Sequence, residues 1–497
     1  MQISQRHVFV EKFYPFLRIF VDIYFIIVNF VFDALHYFNP KAVVDCKNLD
    51  DLLKLSATKT AALIRTNELD SLSVVQAYIK QLQKVNPYLN AIVQDNFDEA
   101  LKAAQEVDTY IKSLVKTSDD ASYAQLEKTK PLLGVPFTLK DNMKAKGMVM
   151  IAGDPGRIGS EPSEEDADCV KRIRDAGAIL LCTSNLPPYA CGCEANNCVQ
   201  GRTNNPYDLR RTCGGSSGGE GALIGSGLVS LDGQIFNLDG PNMRKLWAIG
   251  PMCRFAEDLR LVLRTMVGDR IANERLHLNT SVDLTNMRLF YIEDLEVIES
   301  ERVQLEMKNC VLKAVKHFEQ TFELEAHKIA HPLAKYSFEL WDAIFEADEP
   351  TMSLKGLFSE LIKFIIGKSN MSLIGLEFSL HSYLSIGPSD GEYFRAKCDQ
   401  LRSELISLLG SNGFLICPSM AETAPYHSQS YLKLFNNAEC ALFSALGFPA
   451  VVCPMEMNKN GLPKSVQIAG PPNSEGLLIS VAEELERTFG GWVAPGF

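Results

Sequence analysis

The chain has 497 residues, 46% of them hydrophobic and 22% charged, which are the proportions of an ordinary globular protein. Its formal net charge of -12, with no compensating block of Lys and Arg, argues against a nucleic-acid partner, because phosphates repel an acidic surface. Many of the 13 cysteines sit in apolar runs, and the cluster of Cys191, Cys193 and Cys198 has no second ligand pair for zinc. The cysteines therefore predict neither a disulfide framework nor a metal site.

The first element is a run of large apolar side chains between residues 13 and 38. Ile23 to Phe32 carries no charge, but Arg18, Asp22 and Asp33 lie close to its ends. A membrane span needs about 20 apolar residues, so this run is at the lower limit. Three alternatives stay open: a span with its charges near the interfaces, an amphipathic helix in the interface, and a buried helix of a soluble protein. A cleaved signal peptide fits less well, because no small-residue cleavage site follows.

Helical and strand patterns alternate from Leu53 to the end of the chain. Apolar side chains at three- and four-residue spacings predict a helix through Val74 to Val85 that Pro87 ends. The alternation favours an α/β fold with a largely parallel sheet. The other predicted helices are Asp98–Tyr110, Ala167–Ala176 and Ser480–Phe489, the predicted strands are Leu132–Leu139, Ala178–Cys182 and Ala450–Cys453, and a long apolar stretch runs from Ser353 to Leu380.

The stretch from Thr212 to Gly221 holds five glycines and two adjacent serines within ten residues. Glycine adopts backbone conformations closed to other residues, so such a run can turn tightly and let another backbone or a ligand approach. The apolar run Ala222 to Ile224 follows, which indicates a loop that leads into a buried helix. A flexible Gly/Ser linker is the alternative. A phosphate-binding loop is disfavoured, because the GxxxxGK[ST] pattern is absent.

The stretch from Gly214 to Ile224 resembles the signature of the amidase signature family, and the chain is similar to the fatty-acid amide hydrolase 2 type within it. The resemblance extends from about Leu53 to Val493. It implies the fold of that family, a large mixed twisted sheet flanked by helices on both faces. It also favours a membrane for the N-terminal segment, so we assign residues 1–42 to a hydrophobic membrane anchor and residues 43–497 to an amidase signature domain.

Lys140 follows the predicted strand Leu132–Leu139. A lysine at the end of a buried strand loses hydration, which disfavours its charged form and makes the neutral amine available as a base. Most lysines in such a position are nevertheless ordinary surface residues. The stretch from Leu139 to Asn142, after Gly134-Val135-Pro136, is similar to the motif that holds the family's catalytic lysine, so the resemblance implies that Lys140 is catalytic.

Ser216 falls where the family has its bridging serine, which follows a cis peptide bond. In the family's scheme the lysine takes a proton from this serine, and the serine takes one from the nucleophile, as histidine does in a Ser-His-Asp triad. Lys140 and Ser216 are called the relay pair below. The resemblance implies that an amide is hydrolysed through an acyl-serine, without a metal or a cofactor.

The third member of the family's site is a nucleophilic serine on a later loop, G-[ST]-D-x-G-G-S-[IV]-R, whose backbone N–H groups form the oxyanion hole. This chain has no such loop: Leu228 follows Gly227 directly, and the family's spacing places Gly240 where the nucleophile would be. Ser226 and Ser230 are the nearest substitutes, but neither follows a glycine pair. We therefore expect that one core strand and the helix after it are missing beyond Gly227.

The sequence thus predicts a membrane-associated protein of the amidase family whose substrate would be a lipid amide, inactive as written because the nucleophile is absent. A non-catalytic pseudoenzyme, a truncated isoform and, less favoured, the amidase subunit of an amidotransferase are the alternatives. The expected partners are the lipid amide, an intracellular membrane bound through the N-terminal segment, and a second copy in a homodimer, with no nucleic acid. The side of the membrane that the domain faces stays open.

Overall fold

The structure is a computed structural model that describes residues 5–115, 120–228, 246, 248–345, 353–366, 368–369, 376 and 388–496. In chain order its helices are α1 (Gln5–His36), α2 (Ala57–Arg65), α3 (Ser71–Leu89), α4 (Phe97–Val115), α5 (Asp120–Thr129), α6 (Asp168–Asp175), α7 (Gly218–Gly225), α8 (Ala256–Val267), α9 (Asp269–Glu274), α10 (Leu305–Phe322), α11 (Ser337–Phe345), α12 (Leu354–Ile365), α13 (Pro388–Leu409), α14 (Ala438–Leu446) and α15 (Glu475–Phe489). Its strands are β1 (Ile92–Asp95), β2 (Pro136–Lys140), β3 (Ile179–Ser184), β4 (Asn196–Asn197), β5 (Gly201–Arg202), β6 (Asn204–Asn205), β7 (Asp208–Thr212), β8 (Arg288–Tyr291), β9 (Ala326–Lys328), β10 (Gly413–Pro418), β11 (Ala450–Met457) and β12 (Pro463–Ala469).

A five-stranded sheet has the strand order β11-β12-β10-β8-β9. β8 is parallel to β10 and β9, whereas β12 is antiparallel to β10 and β11. Successive side chains of a strand point to opposite faces of the sheet. Phe414 and Ile416 of β10 accordingly lie in one core with α10 and α15, while Leu415 and Cys417 lie in another with α11, α13 and α14. The sheet is mixed and has helices on both faces, so the predicted α/β fold is confirmed. The expectation of a largely parallel sheet is wrong, because β12 pairs antiparallel with both of its neighbours.

A three-stranded sheet has the order β1-β3-β2, with β2 parallel and β1 antiparallel to the central strand β3. Every residue of β2 and β3 is buried, because helices cover both faces of these strands. Val135 and Leu181 lie in a core with α3 and α4, whereas Phe137 and Leu139 lie in a second core with α6 and α8. The carboxyl end of β2, where Lys140 lies, is therefore inside the protein.

Helix α3 is the predicted helix through Val74 to Val85, but the prediction that Pro87 ends it is wrong. Pro87 lies in the last turn, and the helix continues to Leu89. Asn90 then adopts a left-handed conformation with φ 52°, and its N–H donates to the carbonyl oxygen of Asn86. Because proline has no N–H, it removes one hydrogen bond to the preceding turn. In the last turn of a helix this loss does not prevent the next two residues from staying helical.

The other predicted elements are present with shifted ends where they fall among the described residues. The apolar run 13–38 forms most of α1, whose part Lys12–His36 is long and apolar enough to cross a membrane by length and composition. Of the stretch from Ser353 to Leu380, α12 is described and most of the remainder lies outside the described residues. The predicted loss of a strand and a helix concerns residues 229–245, which also lie outside them, and stays a prediction.

Replacing Phe414 by alanine tests the core between the five-stranded sheet and α10. The Phe414 ring is fully buried and packs edge-on against Phe318, with ring centroids 5.2 Å apart. The variant should lose about 3–5 kcal/mol of unfolding free energy in urea denaturation, because removing a buried phenyl group leaves a cavity. Phe358→Ala, on the exposed side of α12, makes the same change and should lose less than about 0.5 kcal/mol. Equal losses would contradict this packing.

Candidate active site

Strand β2 carries Lys140 into the interior of the protein. All five residues from Pro136 to Lys140 are buried, and Lys140 has no exposed surface. Pairing with β3 places Lys140 beside Ser184, and the chain continues into Asp141 and Asn142, which are also buried. A buried amine without hydrogen-bond partners is destabilising by several kcal/mol, roughly 2–7 even for a neutral polar group. The position of Lys140 therefore requires acceptors from another part of the chain.

Two adjacent serines supply those acceptors. The Nζ of Lys140 donates a hydrogen bond to Ser216 Oγ at 2.7 Å and to Ser217 Oγ at 3.0 Å. The relay pair is thus in direct contact, while its catalytic role stays a prediction. The sequence patterns do not identify Ser217 as a partner of Lys140. Only its position next to Ser216 in the sequence could have indicated this contact.

The glycines of the stretch Thr212 to Gly221 let it pack closely against two neighbouring segments. The Gly215–Ser216 peptide bond is cis, as the resemblance implies. A Cβ atom on Gly215 would lie 2.6 Å from the carbonyl oxygen of Gly192, and one on Gly219 would lie 2.5 Å from the backbone N and O of Asn185. Because only glycine fits at these two positions, the stretch is a packed loop and not a flexible linker.

Helix α7 is fastened to β2 by a buried carboxylate directly after this loop. Thr138 Oγ1 of β2 donates to Glu220 Oε2 at 2.6 Å, and both side chains are fully buried. The N–H of Gly219 donates to the carbonyl oxygen of Asn185, just beyond β3, at 2.9 Å. These two contacts fix the first turn of α7 against the three-stranded sheet, so the serines before it are held at the end of β2.

Ser226, one of the two substitutes for the nucleophile, uses its hydroxyl within its own helix. It is fully buried, and its Oγ donates to the carbonyl oxygen of Ala222 at 2.7 Å. Ser230 and Gly240 lie within residues 229–245, outside the described residues. The prediction that no nucleophilic serine completes the site therefore rests on the amino-acid sequence.

The Cys191 thiol near this site is not reactive, and the described residues hold no metal centre. Burial raises the pKa of the Cys191 thiol to about 11, although the charge of the nearby Lys140 opposes the shift. Cys191 is thus a protonated thiol at neutral pH and a poor nucleophile. Within the described part of the chain, no three His, Cys, Asp or Glu side chains come together as a metal site requires. The expectation of a site without metal or cofactor stays a prediction.

Residues 73–233 and 240–479 match the amidase family, and the chain belongs to that family. It is 34% identical to fatty-acid amide hydrolase 2 of Homo sapiens in an alignment that covers 90% of this chain and 91% of that protein. It is 32% identical to fatty-acid amide hydrolase 2-B of Danio rerio, with the same coverage of 90% and 91%. A solved structure of fatty acid amide hydrolase superposes with a TM-score of 0.69 at 19% identity, covering 88% of this chain and 86% of that one, and so has the same fold.

Asp141, next to Lys140, makes stability depend on pH. Burial raises the pKa of its carboxyl to about 7, although the backbone N–H groups of Ala152 and Ile151 donate hydrogen bonds to the carboxylate. In the unfolded chain an aspartate titrates at about pH 4, so the folded protein binds this proton more tightly. The stabilising contribution of Asp141 is therefore complete below about pH 4 and lost as the pH rises to about 7.

We expect the unfolding free energy of the native chain to fall relative to that of Asp141→Asn between about pH 4 and pH 7, by at most about 1.4 kcal/mol per pH unit. Urea denaturation of both proteins at a series of pH values measures this difference. Asp45→Asn, which changes an exposed carboxylate in the same way, should show a nearly constant difference. A constant difference for Asp141→Asn as well would contradict the elevated pKa.

Proposed function

We propose that this protein belongs to the lipid-amide hydrolases of its family, and that the chain as given keeps the relay pair but cannot form an acyl-serine. The hydrogen bond of 2.7 Å between Lys140 Nζ and Ser216 Oγ is the observation that carries the relay. The absence of the G-[ST]-D-x-G-G-S motif supports the lack of activity. The names of the relatives that match 90% of the chain support a fatty-acid amide as the substrate class.

The chemistry of an acyl-serine route explains why the relay pair is not sufficient. The neutral amine of Lys140 would take a proton from Ser216, which would take one from the attacking serine hydroxyl. The attacking oxygen would bond to the amide carbon, and the leaving amine would receive the proton as the C–N bond breaks. Without the attacking serine no acyl-enzyme forms, and without its loop the oxyanion loses donors that are worth about 3 kcal/mol each.

Three alternatives remain for the chain as given. A pseudoenzyme would bind an amide or a protein partner without turnover. A truncated isoform would expose the apolar surface that the missing strand and helix would have covered, and would aggregate. The amidase subunit of an amidotransferase is less favoured, because a soluble subunit has no need of the apolar helix α1.

Membrane association through α1 is the second part of the proposal. It is supported by the length and apolar composition of Lys12–His36. The division of the chain into an anchor of residues 1–42 and an amidase domain of residues 43–497 follows from this proposal.

A fluorophosphonate probe, which labels activated serines, tests the predicted lack of activity. The purified chain should stay unlabelled, whereas a chain with the family's G-S-D-x-G-G-S loop and its strand inserted after Gly227 should label. The insertion supplies the nucleophile and the oxyanion donors together, and loss of such a nucleophile alone lowers kcat by about a millionfold. A cooperative unfolding transition shows that the unlabelled chain is folded.

Lysine variants of the restored chain supply the controls. Lys140→Ala should abolish the labelling, whereas Lys54→Ala, on the exposed surface, should leave it unchanged. Stoichiometric labelling of the chain as given, lost on Ser216→Ala, would instead identify Ser216 as a nucleophile and overturn the proposal.

Cell fractionation tests the membrane association. The full chain should pellet with membranes and resist carbonate extraction, because α1 buries apolar side chains in lipid. A chain that starts at Val43 should be extracted at least about tenfold more readily, since it lacks that helix. Recovery of the full chain in the soluble fraction would contradict the assignment of α1 as an anchor.

A further inference from the structure

The polar side chains in the middle of α1 face the rest of the protein, whereas Lys12 and Asp33 near its two ends are exposed. Arg18 is buried, and its guanidinium donates to the carbonyl oxygens of Val297 at 2.9 Å and Ser300 at 2.8 Å. Its Nε donates to Asp22 Oδ1 at 2.8 Å, and Asp22 also pairs with Arg302 at 3.1 Å. A buried guanidinium with a carboxylate partner and carbonyl acceptors is held in one geometry, because separating them would leave a charge unpaired in the interior.

Asn29 makes a second polar contact further along the same face. Its side-chain amide donates to Glu301 Oε1 at 2.9 Å and accepts from Gln429 Nε2 at 2.9 Å. Glu301 in turn accepts from the buried Lys433 at 2.9 Å, so Asn29 joins a charged network inside the protein. At the end of the helix the ring of His36 stacks on Tyr426, with centroids 4.1 Å apart.

The opposite face of α1 is apolar and exposed. Phe30 is 71% exposed and Ile26 is 67% exposed. Between Phe13 and Phe32 no charged side chain lies on this face, since Arg18 and Asp22 point inward. Other large apolar side chains that it exposes include Phe16, Ile19, Phe20, Ile23, Ile27 and Val31. This polarity is the reverse of that of a helix on a water-exposed surface, which turns its polar side outward.

We propose that α1 lies flat in the interface of a lipid bilayer, with its inner face docked on the protein, and does not cross the bilayer. The contacts with the protein extend from Tyr14, which donates to the carbonyl oxygen of Glu296, to His36. At 1.5 Å per residue that is about 33 Å, the full thickness of a hydrocarbon core of about 30 Å. The inference rests on the proposed membrane association and specifies its geometry.

The segments of the protein that contact α1 show that this helix cannot cross the bilayer while it is docked. If α1 spanned the bilayer, the segments docked along it would enter the hydrocarbon as well. Those segments hold Glu301, Arg302 and Lys433, and charged side chains in hydrocarbon are destabilising. An in-plane helix leaves them on the aqueous side and places only the apolar face in lipid.

A bilayer fits the exposed face better than a second copy of the chain. The core of a protein interface is framed by polar groups, with about one hydrogen bond per 100–200 Å². Between Phe13 and Phe32 the exposed face of α1 is instead a continuous strip of aliphatic and phenyl groups, and the exposed Asp33 follows it. At its carboxyl end Tyr37 and Phe38 are 79% and 91% exposed, and Lys41 follows, an arrangement typical of the boundary between hydrocarbon and water.

The positions of the two chain ends test this geometry. Epitope tags are placed before Met1 and after Phe497 of the full chain, and sealed microsomes are digested with protease from outside. The in-plane helix requires both tags on one side, so both are cleaved or both are protected until detergent is added. Cleavage of one tag alone would show a spanning helix and overturn the inference, while membrane association would stand. A protein found in the soluble fraction would overturn both.

Charges on the exposed face test which partner covers it. The variant Ile26→Glu/Phe30→Glu should fall about tenfold in the membrane-bound fraction and keep its unfolding transition, because both side chains face lipid. Gln83→Glu/Gln105→Glu adds the same charge at exposed positions of α3 and α4 and should stay bound. If Ile26→Glu/Phe30→Glu stayed bound to the membrane but changed the protein from a dimer to a monomer in detergent, a second copy would cover the face. That result would overturn the inference.

Discussion

The buried amine of Lys140 is the constraint that shapes the site. Because β2 is covered on both faces, its last residue can satisfy its amine only with acceptors from within the protein. Ser216 and Ser217 reach it because Gly215 and Gly219 remove the side chains that would separate the loop from its neighbours. The glycine-rich signature is therefore needed for packing as well as for chemistry, because it lets the two serines come close enough to accept from the buried amine.

Local patterns predicted the helices and strands, and the resemblance predicted the pairing of Lys140 with Ser216. The end of α3 could not be placed from Pro87, because the cap depends on Asn90 adopting a left-handed conformation. The docking of Arg18 could not be predicted from local patterns either, because its acceptors lie 279 and 282 residues away in the sequence. An arginine and an aspartate beside an apolar run look like the ends of a span, and only tertiary contacts show that they turn inward.

Family membership and catalysis depend on different parts of this chain. The match to the amidase family spans residues 73–233 and 240–479, and it reflects buried strands, helices and the packed glycine loop. In the proposed mechanism an amide bond is cleaved only when the relay pair meets a nucleophile on a third segment. Under this proposal a chain keeps strong similarity to its relatives over most of its length, while the one segment that carries the nucleophile decides whether a covalent intermediate forms. To judge whether this chain is active, its sequence at the junction of Gly227 and Leu228 is the part to compare with that of its relatives.

The docking of α1 also sets the order of events while the protein is being made. Asn29 leaves the ribosome early, yet its partner Gln429 lies 400 residues later. At 5–20 residues per second, roughly 20 to 80 s separate the two. During the first part of that interval the inner face of α1 has no protein to dock on, since Val297 and Ser300, whose carbonyl oxygens accept from Arg18, are made 279 and 282 residues after it. Helix α1 is consequently synthesised well before its native contacts can form, and a membrane surface or a chaperone would shield its apolar face in the meantime.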